Sequence, residues 1–128
     1  MTATIKTILS ALLLAAVTPF AFAVEAGKVP LPLKDGVYQF KHKFAEHPQM
    51  DSITLEASIK NGRISLVNKD RADVFPLGLI DEGELVWHEK SQEWIISTDP
   101  ADLNAEDVGG CSDGPTVVDL KEKIYWTC

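Results

Sequence analysis

The residues in this chain whose types could do chemistry are two cysteines, three histidines and a run of acids, and their spacing decides which chemistry is open to them. Zinc needs three or four nitrogen, thiolate or carboxylate ligands brought to one point. His42, His47 and His88 show no such spacing. His42 and His47 are separated by a strand end and a loop, with Glu46 and Asp51 nearby, and read as ordinary surface or half-buried histidines. Ser52, Ser91, Ser97 and Ser112 lack the strand-turn-helix setting of an activated serine, and no histidine sits at a telling sequence position beside them. No carboxylate pair is singled out for glycosidase chemistry. No catalytic residue, no metal ligand and no cofactor is therefore assigned.

Cys111 and Cys128 are an even pair in a chain that reads as exported, and exported chains mature in an oxidising compartment. They are expected to form a disulfide, which removes both thiolate ligation and a cysteine nucleophile. The export reading rests on the amino terminus. Lys6 precedes the apolar run from Ile8 to Val17, and Pro19 and the small-residue site Ala21-Phe22-Ala23 follow it. Residues 1–23 thus have the order of a removable signal peptide, and the run is too short to span a bilayer. A periplasmic or secreted location is expected, with no membrane attachment after cleavage.

The acids are concentrated in one stretch. From Ser91 to Leu120 there is no Lys or Arg, while Glu93, Asp99, Asp102, Glu106, Asp107, Asp113 and Asp119 all fall there. The chain carries a net charge of −7, and removal of Lys6 with the leader makes it −8. Such a surface repels phosphate backbones and anionic lipid, which argues against nucleic acid and membrane as partners, and it steers cationic ones inward. Asp102-x-Asn104-x-Glu106 has the alternating oxygens of a calcium loop, but Asp107 stands where that loop needs glycine and Asp113 where it needs glutamate. A solvated acidic helix is the competing reading.

The elements that must position these residues are mostly strands. Residues 24–35, with Pro30 and Pro32, form an extended lead-in to a single β-rich domain over 36–128. Tyr38, Phe40, His42 and Phe44 alternate with polar residues, the period of a half-buried strand. Asn61-Gly62 marks a tight hairpin that pairs Lys60 with Arg63 and puts Ile53, Leu55, Ala57, Ile59, Ile64 and Leu66 on one face. Val74 to Ile80 reads as an edge or bent strand around Pro76, and Asp81-Glu82-Gly83-Glu84 as the turn after it. A second hairpin pairs Trp87 with Trp94 and Leu85 with Ile96, on the core face. Asp99-Pro100 starts a short helix to about Asp107, and Gly109-Gly110 stops it. A last hairpin across Lys121-Glu122-Lys123 sets Val118 against Trp126, leaving Tyr125 on the opposite, exposed face beside Asp119.

The expected fold is mainly β, a small antiparallel barrel or sandwich of seven to eight short strands with one short helix and one disulfide. The expected function is non-enzymatic binding of an extracytoplasmic protein, of the inhibitor or immunity type. The contact set is Asp99, Asp102, Glu106, Asp107 and Asp113 of the acidic segment with the neighbouring aromatic Tyr125, and the segment runs into a loop, Gly109 to Pro115, of three glycines, a proline and Cys111 pinned to Cys128. A carrier of a small apolar ligand in the barrel interior is the alternative, and a small hydrolase ranks third.

Overall fold

The computed structural model describes residues 29–128, so the leader over 1–23 and the first part of the lead-in lie outside the described residues. Seven strands follow: β1 (Gly36–Phe44), β2 (Thr54–Lys60), β3 (Arg63–Asn68), β4 (Gly78–His88), β5 (Glu93–Ser97), β6 (Thr116–Asp119) and β7 (Ile124–Thr127). The one helical element among the described residues is a 3₁₀ turn, Pro100–Asn104, between β5 and β6. Each strand pairs antiparallel with the next in sequence, and β1 also pairs with β7, in parallel. That parallel pair departs from the all-antiparallel expectation for a simple reason. In an up-and-down run with an odd number of strands the first and last point the same way.

The Asn61-Gly62 hairpin has the expected register, with Lys60 opposite Arg63, Ile59 opposite Ile64 and Ala57 opposite Leu66. Both turn residues have positive φ, 50° and 76°, as a primed turn requires. All six apolar residues assigned to its inner face are buried. Phe40, Leu85, Ile96, Val118 and Leu120 join them in one packed core, which Leu31 and Leu33 of the lead-in also touch.

Four local expectations are corrected. Asp81 to Glu84 is not a turn but the middle of the eleven-residue β4, which is why the strands number seven. Gly83 makes this possible: a Cβ there would stand 2.5 Å from the Ser97 carbonyl oxygen, so the bare backbone lets β5 approach. Val74 to Pro76 is loop, held by the buried Asn68, whose Nδ2 donates to the carbonyls of Arg71, Phe75 and Pro76 at 2.9 to 3.3 Å. The helical segment is also shorter than expected, ending at Asn104.

The fourth correction moves two aromatic residues. Val118 pairs with Tyr125, not Trp126, and Asp119 pairs with Ile124. Asp119 Oδ1 accepts from the amides of Lys121 and Glu122, while Leu120 turns into the core and is 1% exposed. The turn therefore takes four residues, and a slip of one residue exchanges the two faces of a strand. Tyr125 points inward and is 5% exposed. It cannot be an exposed anchor.

Candidate functional site

The acidic segment lies across the outside of the sheet. Alternation along β5 and β6 sends Ile95 and Val117 away from the core formed by Ile96 and Val118, yet Ile95 is 0% exposed and Val117 9%. What covers them is the connection from β5 to β6. The 3₁₀ turn packs on β4 and β5. His88, also turned outward, is wholly buried beneath this connection, with Nε2 2.8 Å from the Ala105 carbonyl and Nδ1 2.7 Å from Ser91 Oγ. Beyond it the Gly109 amide donates to the Pro115 carbonyl at 2.8 Å. Gly114 sits so close to the chain opposite that a Cβ would fall 1.8 Å from the Asp107 carbonyl oxygen. The Cys111–Cys128 disulfide is formed, with its Cα atoms 4.6 Å apart, and ties the loop to the residue after β7.

The acids in this segment have divided roles. Asp99 and Asp102 form a capping box: Asp99 Oδ1 accepts from the Ala101 amide, and Asp102 Oδ2 from the Thr98 and Asp99 amides and the Ser97 hydroxyl. Those bonds start the 3₁₀ turn. Glu106 is ion-paired with Lys90 from the β4–β5 turn, and that ammonium group holds its carboxyl below the usual range. Asp107 and Asp113 are exposed on the loop itself. Asp102 is thus taken up by the cap and Glu106 by Lys90, where a calcium loop would turn both toward one cation. Among the described residues the one grouping of potential ligands is Glu46 with the two disulfide sulfurs, which are not thiolates.

A groove of about 410 Å³ runs between the outer face of β4 and the 3₁₀ turn, and its walls include Glu82, Glu84 and Asp99. Leu103 stands in it 50% exposed, with Arg63 as the cationic member of the wall. The local sequence pattern alone places Glu82 and Glu84 in a turn. The long β4 is what turns them toward the acidic segment.

Two polar clusters escaped the sequence reading. His42, 2% exposed, has Nδ1 2.6 Å from Ser52 Oγ and Nε2 2.7 Å from Thr127 Oγ1. The rings of Phe44 and Phe75 meet it edge-on, with centroids at 4.6 and 5.0 Å. A serine beside an imidazole suggests a nucleophile, but a second hydroxyl occupies the far nitrogen where a carboxylate would orient the base. Burial also lowers the His42 pKa, which weakens it as a base. Next to it Tyr125 Oη donates to Asp81 Oδ2 at 2.8 Å. Burial and then the Asp81 charge raise the Tyr125 pKa, so it stays a neutral donor. The His–Ser pairing spans a loop and the tyrosine pair spans 44 residues, so no local pattern announces either.

Among the described residues no helix is long and apolar enough to cross a membrane. No protein-family model, no curated protein and no solved structure matches this chain.

Proposed function

We propose that the protein is an exported, non-enzymatic binding domain, a small closed β-barrel that engages a cationic protein partner through its braced acidic segment. The observation that carries this reading is the fixing of that segment. A loop that has no Lys or Arg is held by a capping box, a buried histidine and a disulfide, so little ordering entropy remains to be lost when a partner docks. The contact set is narrower than composition suggests. Asp102 is committed to the cap, Glu106 to Lys90 and Tyr125 to the core, which leaves Asp107 and Asp113, with Asp99 through the oxygen its cap bond does not use, Glu82 and Glu84 across the groove, and Leu103 as the apolar anchor. The interior is filled by Phe40, Leu55, Leu66 and their neighbours, which supports a contact made on the outside.

The test is capture from the extracytoplasmic fraction with the oxidised mature domain, run beside an Asp107→Asn, Asp113→Asn, Glu84→Gln variant. A cationic protein retained by wild type and lost from the variant, with retention falling as salt rises, is the expected result. Equal recovery of every partner by both forms would remove the acidic face from the proposal.

A further inference from the structure

All three tryptophans of the chain lie on one groove. It measures about 270 Å³ and is lined by residues of the β4–β5 turn, β6 and the β6–β7 turn together with the tryptophans. Trp87 and Trp94 face each other across β4 and β5 with ring centroids 5.5 Å apart and planes at 68°. The Trp87 indole N–H donates to Glu89 Oε2 at 3.1 Å, which fixes its ring. Trp126 reaches the groove because of the register of β7, and Lys43 Nζ stands 6.0 Å from its ring centroid. All three rings are partly exposed.

Hydrogen-bonding side chains line the same groove: Gln92, Glu93, Asp119 and Lys121. Gln92 takes a left-handed backbone, φ 59°, and its Nε2 donates to the Glu89 carbonyl at 2.7 Å, which leaves its amide oxygen to accept. Asp119 uses Oδ1 for both turn amides. Oδ2 takes part in neither bond. A purely apolar ligand would strand these groups without partners. A pyranose satisfies both halves of the wall. Its C–H face carries positive edges that suit the negative face of an indole, and its hydroxyls both donate and accept.

We infer that the tryptophan groove is a saccharide-binding site, sized for one sugar ring of a neutral glycan chain. It adjoins the acidic connection at Val117, but none of its polar residues belongs to the protein contact set above, and it does not rest on the protein-binding proposal. Affinity for a single-ring site of this size is on the order of 1 mM to 0.1 mM.

Every tryptophan reports on this groove, so emission is a direct readout. The oxidised domain is titrated with chitotetraose, cellotetraose and maltotetraose, each to about 10 mM, well above the expected dissociation constant. A saturable shift in tryptophan emission with at least one of them is expected, weakened about tenfold or more in Trp126→Ala, as removal of a stacking ring at a binding centre does. Gln92→Ala, at an exposed position, is the second variant should Trp126→Ala fold poorly, and it is expected to weaken the same titration. Asp107→Asn, on the acidic loop, leaves the titration unchanged. No saturable response to any of the three chains overturns the proposal, as does a response that neither groove variant diminishes.

Discussion

At the scale of single residues, the two buried polar clusters show how a small core tolerates hydrophilic groups. Among the described residues no buried side-chain nitrogen or oxygen lacks a hydrogen-bond partner. Between two hydroxyls, the neutral His42 ring donates from one nitrogen and accepts at the other, which satisfies it without charge. Burial lowers its pKa below the ordinary 6.5, so below that pH the unfolded chain binds a proton that the folded protein resists. Stability is therefore complete above about pH 6.5 and declines as pH falls through the window down to the folded value. The urea midpoint, followed from about pH 8 to about pH 5, is expected to drop, and to drop less in His42→Gln. Equal declines in both proteins would assign the acid sensitivity elsewhere.

At the scale of elements, β4 and the β6–β7 turn did most to set the surface. Leu66 pairs with Asp81 and Val67 with Leu79, so Ile80 is an extra residue on β4 and makes a bulge. The bulge lets Ile80 touch the core while Asp81 reaches Tyr125. Past it, Gly83 admits β5 closely enough that the strand continues to His88. Gly83→Val is expected to cost at least about 2 kcal/mol, because the new side chain must displace a backbone carbonyl and the Ile96 methyl 2.9 Å away. Thermal or urea unfolding measures it. A loss within a few tenths of a kcal/mol would mean that the two strands can part without penalty. The β6–β7 turn illustrates the opposite sensitivity: a single buried leucine, Leu120, decides which face of β7 carries Tyr125 and which carries Trp126.

At the scale of the whole molecule, Lys41–Phe44 of β1 pair in parallel with the whole of β7, which joins the ends of the sheet over that length. The disulfide stands at that junction, between the loop ahead of β6 and the residue after β7, with a sequence separation of 17. Closing a loop of that length contributes about 3 kcal/mol when unstrained. A Cys111→Ser, Cys128→Ser variant is expected to lose that much stability and to exchange the amides of residues 106–115 faster, while those of β2 and β3 keep their protection. Uniform loss of protection across all strands would show the bond to be part of the core's own cooperativity.

What the sequence determined by itself were the features written in neighbouring residues. The Asn61-Gly62 hairpin and its six inner residues, the Trp87–Trp94 register, the cap at Asp99 and the pairing of the two cysteines were all legible, because turn chemistry and alternation act over a few positions. Tertiary structure alone decided the rest. Whether Asp81–Glu84 turns or extends depends on how near β5 lies to Gly83, and that distance is not encoded at Gly83. The inward placement of Tyr125 depends on a core that has room for Leu120. The acidic run was visible from the first, but which of its carboxylates are bound up in the cap and which face solvent was settled only when the segment lay down over Ile95, Val117 and His88. Composition sets the charge of a surface, and packing sets which of those charges a partner can reach.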